Sequence, residues 1–323
     1  MSNLWQEIRR PIFALAPMAD VTDAAFRQII AKYGKPDVMW TEFVSADGLA
    51  LAPEAGRKKL LKNLEYSESE RPIIAQFFTS SPENMKKAAE LACDLGFDGV
   101  DINMGCPDRS VEEQGAGALL MKNVKLAREL VKVAKESAGT IPVSIKTRTG
   151  YSRPELESWL PEILEEEVSM ITIHARTRKE MSKVPAQWEH VKRAVDIRNA
   201  SGKKTLILGN GDVKNLAEAR KRVEETGCDG VMLGRAIFGN PWLFAEKTPE
   251  ISEKLLVLIE HAKLFEKLSG SPPADGKNFA IMKKHFKAYL SGFNGAADLR
   301  AKLMKTCNTD EVERAVFEFL KVV

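Results

Sequence analysis

Short apolar runs alternate with longer amphipathic stretches over the first three quarters of the chain. Eight such runs can be read: Ile12–Ala16, Val38–Phe43, Ile73–Phe77, Gly99–Asn103, Val143–Lys146, Met170–His174, Thr205–Gly209 and Gly230–Gly234. Each is bounded by Gly, Pro, Asp or Asn, the pattern of strands buried on both faces of a parallel sheet. Helices are predicted between most of them. Pro82–Leu95 follows Ser81, which can cap it, and stops before Gly96; Val124–Ser137, Pro154–Glu167, Trp188–Ala200 and Val213–Thr226 repeat the pattern. The second crossover, Leu49–Leu64, is less regular.

Eight strand-then-helix units predict an α/β fold, a closed (β/α)8 TIM barrel; a doubly wound open sheet is the structural alternative. After Trp242 the rhythm stops. Lys254–Leu268, Ile281–Leu290, Leu299–Lys305 and Asp310–Lys321 read as helices, with the linker Gly270–Gly276 among them. The expectation is a barrel domain over 1–246 and a small all-helical domain over 247–323.

Catalytic groups of such a barrel sit at the C-terminal ends of its strands. There the sequence places Pro17-Met18-Ala19-Asp20, Glu42, Gln76, Asn103 with Cys106, Lys146 with Arg148, His174 with Arg176, Asn210-Gly211-Asp212 and Gly234-Arg235. A single lysine or histidine at a strand end is more often a surface or satisfied core residue; nearly every strand delivering a polar group to one rim argues for a site. The segments after the seventh and eighth strands read as a phosphate cradle, where glycines let backbone N–H groups approach an anion. Lys146 and Gln76, from the fifth and third strands, would sit deeper, and Lys146 could stabilise negative charge on a reduced cofactor or pair with Glu42. Cys106, in Asn103-Met104-Gly105-Cys106-Pro107, is set on a sharp turn and can donate a proton at neutral pH. A small buried apolar role suits Cys93 and Cys228 better.

Composition narrows the class. Hydrophobic residues make up 44% and charged residues 29% of 323, ordinary for a soluble globular protein. Met1–Arg10 has no apolar segment of a signal peptide, and no apolar run is long enough to span a bilayer. The four cysteines are scattered without a CxxC pair, which argues against a zinc site or disulfide framework and for a reducing cytoplasm. No metal is expected. The net charge of +3 lies in the tail: from Lys247 onward there are 13 Lys/Arg and 10 Asp/Glu.

These motifs together resemble the tRNA-dihydrouridine synthase family. The resemblance rests on Ala16-Pro17-Met18-Ala19, Val21-Thr22-Asp23, Phe26-Arg27, Asp101-Ile102-Asn103-Met104-Gly105-Cys106-Pro107, Gly115-Ala116-Gly117-Ala118, Lys146-Thr147-Arg148, His174-Ala175-Arg176-Thr177-Arg178, Gly209–Asp212 and Gly234-Arg235-Ala236, with His285–Tyr289 and Arg300 in the tail. It implies FMN as cofactor, NADPH as reductant and tRNA as substrate and partner; a monomer in the cytoplasm is expected. By matching position, FMN would be held by Pro17, Met18, Ala19, Gln76, Lys146, His174, Asn210, Gly211, Asp212, Gly234 and Arg235. Asn103, Arg148 and Arg176 would bind the substrate. The implied reaction passes hydride from flavin N5 to uracil C6, while Cys106 protonates C5. The segment Glu180–Pro185 and the acid Asp20 depart from the family pattern. The competing readings are an FMN barrel acting on a free pyrimidine, as dihydroorotate dehydrogenases do, and an RNA-binding protein on a barrel that has lost its chemistry. The first leaves the basic tail unexplained, and the second predicts loss of Cys106 or Lys146.

Overall fold

The runs become nine strands in the computed structural model, which describes residues 4–269 and 278–321: β1 (Ile12–Leu15), β2 (Met39–Trp40), β3 (Val44–Ser45), β4 (Ile73–Phe78), β5 (Gly99–Met104), β6 (Val143–Arg148), β7 (Met170–His174), β8 (Leu206–Asn210) and β9 (Gly230–Leu233). All are parallel, in the order β1-β9-β8-β7-β6-β5-β4-β2, with β3 also on β4. A parallel bridge between Ala14 and Val38 joins β1 to the segment entering β2, so the sheet curls into a barrel.

One expected strand is two. Val38–Phe43 is read as continuous, yet pairing on β4 stops at Trp40 and resumes at Val44. Between them the Gln76 amide donates to Thr41 Oγ1, so a side chain stands in for a ladder acceptor and the strand bulges. The other boundaries move by a residue or two; β8 ends at Asn210 rather than Gly209.

Helices start where side chains can take up their first amides. Asp23 accepts from Phe26 N, Ser81 from Asn84 N ahead of Pro82, Asn123 from Leu126 N and Asn215 from Glu218 N. The second crossover holds two short helices, Ala46–Leu51 and Glu54–Lys62; the latter buries no residue, which is why its periodicity is weak. Arg27 and Glu70, both wholly buried, pair at 2.6 Å, and the Arg27 guanidinium also donates to the Thr22 and Glu65 carbonyls. Arg27 thus ties the helix after β1 to the loop before β4. Such a pair, once formed, is costly to break from one side, about 3–5 kcal/mol.

The tail helices are Ile251–Ser269, Met282–Tyr289, Ala296–Leu303 and Thr309–Leu320. The predicted linker Gly270–Gly276 lies outside the described residues. The tail's apolar cluster includes Leu258, Phe265, Phe286, Leu299 and Val312, and it continues into Ala25, Ile29 and Trp242 of the barrel. Among the described residues no helix is long and apolar enough to cross a membrane.

Candidate active site at the C-terminal end of the barrel

The register sets the site. Inward positions alternate along each strand, so residues two apart on one strand occupy successive layers. Gln76, Asp101 and Ser144 are register partners across β4, β5 and β6; Asn103 and Lys146 are paired one layer above. Arg148, His174 and Asn210 form a row across β6, β7 and β8. Polar residues recurring at every second position on neighbouring strands therefore converge on one end of the barrel.

There a cavity of about 310 Å³ opens, at the small end of the range for ligand sites. Pro17, Met18, Asn103, Cys106, Lys146, Arg148, His174, Arg176, Asn210, Gly211, Asp212, Gly234 and Arg235 all line it. Two residues expected at the site stand elsewhere. Gln76 is buried beneath the cavity floor, joined to it through Asn103, and Ala19 is exposed outside the lining. Phe43, Ser182 and Met232 line the cavity and were not singled out by sequence. Ser182 belongs to Glu180–Pro185, the segment whose departure from the family pattern was visible. Phe43 was read only as the last residue of a strand.

At one end the chain makes a tight cradle. Gly211 has φ 135°, and a Cβ there would lie 2.7 Å from that of Ala186, so only glycine fits. Gly234 differs: a Cβ would meet Ala16 and Met18 at 3.6 Å, ordinary contact. Nothing in the chain forbids a side chain at Gly234; what a side chain would take up is cavity space. Asp212 bridges two cations, pairing with Arg176 and, at 2.5 Å, with the exposed guanidinium of Arg235. This end suits an anionic group such as a phosphate.

Cations crowd the remaining wall. Burial and the neighbouring Arg148 lower Lys146 to about 8, partly offset by Asp101. Its ammonium lies 3.4 Å from Asn210 Oδ1, while Glu42, the suggested partner, accepts from the Asp20 amide at 2.5 Å. Burial and surrounding cations hold His174 well below the usual imidazole range. It is neutral at pH 7, and its Nε2 faces Arg176 Nη1 at 3.2 Å. Burial also lowers Arg148 to about 10. Its Nε donates to the Gly105 carbonyl at 2.7 Å, and its Nη1 to Thr177 and Met181 carbonyls at 3.1 and 3.0 Å. Arg148 therefore clamps the Cys106 turn to the segment containing Ser182.

Cys106 is half-buried, and burial raises its thiol above the ordinary value, so it is protonated at neutral pH. A protonated thiol in a cationic pocket suits proton donation. Asp20, the other departure from the family pattern, has φ 54°, a region glycine usually fills, and its carboxylate lies 3.5 Å from Lys284 of the tail.

A family model described as Dihydrouridine synthase (Dus) matches residues 14–322. The chain is 40% identical over 320 residues to "Probable tRNA-dihydrouridine synthase 2" of Bacillus subtilis (strain 168), covering 98% of this chain and 96% of that one. It is 38% identical to "Probable tRNA-dihydrouridine synthase" of Staphylococcus aureus (strain COL), covering 98% and 95%. Among solved structures, histamine dehydrogenase from Rhizobium sp. 4-9 shares the fold, with TM-score 0.55 at 16% identity over 84% of this chain and 50% of that one. Because the match runs through both barrel and tail, the chain belongs to the dihydrouridine synthase family.

Proposed function

We propose that the protein reduces the C5–C6 double bond of uridine in tRNA to 5,6-dihydrouridine, with FMN as cofactor and NADPH as reductant. The observation that carries this reading is a protonated Cys106 facing the same cavity as Lys146, Arg148 and an anion cradle. The chain's residues fit a phosphorylated cofactor: Gly211, Gly234 and Arg235 would hold its phosphate, with Asn210, Lys146 and His174 along its polar edge. Gln76, below the floor, would act through Asn103. When bound, FMN supplies the hydride delivered to uracil C6.

Everything else in the step falls to the chain. The Cys106 thiol gives its proton to C5, Asn103 and Arg148 present polar groups to the base, and the Lys146 ammonium offsets negative charge as it develops. Arg176 is fixed by Asp212 and by the Val184 carbonyl at 2.6 Å, so it shapes the cradle and the neighbouring segment. The helical tail, about residues 247–323, would dock the RNA. A free-pyrimidine enzyme would need no such tail, and the family match extends to residue 322.

The test is direct. Purified protein with FMN, NADPH and an unmodified tRNA transcript should form dihydrouridine, read by nucleoside mass spectrometry, and free uridine or orotate should be poor substrates. The rate should fall above about pH 8, where Lys146 gives up its proton. Reduction of orotate in preference to tRNA would overturn the reading.

A further inference from the structure

Beneath the cavity floor lies a hydrogen-bonded chain whose direction is fixed at both ends. At its upper end the backbone amides of Gly105 and Cys106, which can only donate, point at Asn103 Oδ1 at 3.1 and 2.9 Å. Asn103 must then turn its Nδ2 away, and it donates to Gln76 Oε1 at 3.0 Å. Gln76 in turn directs Nε2 at Asp101 Oδ2 at 2.7 Å, and Ser144 Oγ donates to Asp101 Oδ1 at 2.5 Å. Gln76, Asp101 and Ser144 are inaccessible or nearly so, and Asn103 is 6% exposed. With water kept out, neither amide can reverse without leaving buried groups facing like partners.

We infer that Asp101, which does not reach the cavity, is a positioning residue. Its carboxylate accepts at both oxygens and so sets the polarity of the Gln76–Asn103 relay that anchors the turn carrying Cys106. This rests on the proposed role of Cys106 as proton donor. Burial raises Asp101 to about 6, opposed by these hydrogen bonds and by Lys146, so at neutral pH it is the acceptor the relay needs.

The relay can be broken and then run in the other direction. Asp101→Leu removes the terminal acceptor, whereas Asp101→Asn keeps one, with Oδ1 toward Gln76 and Nδ2 toward Ser144 Oγ. Asn103→Asp places an acceptor against Gln76 Oε1; turning the Gln76 amide over only moves the conflict to Asp101. In the double variant Asp101→Asn/Asn103→Asp the reversed order is satisfied: Asn at 101 donates to Gln76 Oε1, Gln76 Nε2 donates to Asp at 103, and that carboxylate still accepts from the Gly105 and Cys106 amides. Net charge is unchanged between the native protein and the double variant.

The readout is the iodoacetamide alkylation rate of Cys106, followed by peptide mapping, with melting temperature alongside. Asp101→Leu and Asn103→Asp should each raise alkylation by about fivefold or more, the scale of one missing buried hydrogen bond. Asp101→Asn and the double variant should return near the native rate. Asp101→Leu should slow dihydrouridine formation from reduced flavin more than it slows reduction of the bound flavin by NADPH, followed separately without tRNA. Native alkylation in both Asp101→Leu and Asn103→Asp, or a double variant no better than Asn103→Asp, overturns the relay. If Asp101→Leu does not fold, the Asn103→Asp pair of variants decides alone. If the native protein makes no dihydrouridine, the functional reading falls while the alkylation arm still tests the relay.

Discussion

The two ends of the barrel use charged residues in opposite ways. At the N-terminal end three carboxylates are consumed by the scaffold. Asp37, Asp98 and Asp229 accept from amides in the first two residues of neighbouring strands, Phe13, Ile73 and Ile207, at 2.7 to 2.8 Å. Asp98 also holds Arg71, and Asp229 holds Arg10 and Arg198. At the C-terminal end Lys146, Arg148 and His174 are crowded together, and burial pushes all three below their ordinary values. A fold does not gain stability by gathering cations with depressed pKa values in a cleft. Such crowding is expected where negative charge arrives with a ligand. One end closes the barrel and the other is the proposed site of chemistry, as TIM barrels generally divide their labour.

Substitutions at the two ends should therefore fail differently. The largest effect is expected at the top: Cys106→Ala should lower dihydrouridine formation by about 10²–10⁴-fold. The rate at which NADPH reduces the bound flavin without tRNA, the flavin content and the melting temperature should stay close to native values. Equal loss of both half-reactions would place Cys106 in flavin reduction or folding and dissolve the contrast.

At the bottom the pattern should reverse. Asp229→Ala leaves Arg198, the Arg10 pair and the Ile207 amide without their shared acceptor, and should cost about 2–4 kcal/mol of stability. Denaturant unfolding measures this, and the specific activity of the folded fraction should be unchanged. A stable but inactive Asp229→Ala protein would mean that this end also serves catalysis.

The smallest effect belongs to the tail. Lys284 and Lys287 are exposed and Lys283 is half-buried on one helix, with Lys284 already near Asp20. Changing all three to Ala should weaken tRNA binding and reduce its salt slope by about 1 for each phosphate no longer neutralised by a lysine. Flavin content and NADPH oxidation should not change. Normal binding with an unchanged slope would move the docking surface elsewhere.

The barrel was legible because its strands are buried on both faces and punctuated by Gly, Pro and Asn. The break between β2 and β3 was not, because it depends on Thr41 Oγ1 replacing a carbonyl, and that substitution has no periodicity. The rim residues were legible one strand at a time, as polar groups after apolar runs. Depth was legible in part: Gln76 read as sitting deeper than the other rim residues, and it does lie under Asn103, but as a hydrogen-bond partner below the floor rather than as part of the lining. Asp101 read only as part of a motif, since its partners come from β4 and β6. Ser182 needed the clamp of Arg148 to bring its segment over the cavity.

The continuity of the tail's apolar cluster with Ala25, Ile29 and Trp242 has a consequence for exchanging parts between relatives. A cut at residue 246 would separate chain segments that share one interior, exposing Leu258, Phe265 and Phe286 on one piece and the barrel's own apolar side chains on the other. Phe26 packs with tilted rings against His261 and His285 across the same seam. A transplanted tail would therefore pack on a new barrel only if the face of the helix after β1, together with Trp242, travelled with it. The unit of inheritance at this seam is the pair of surfaces rather than the tail.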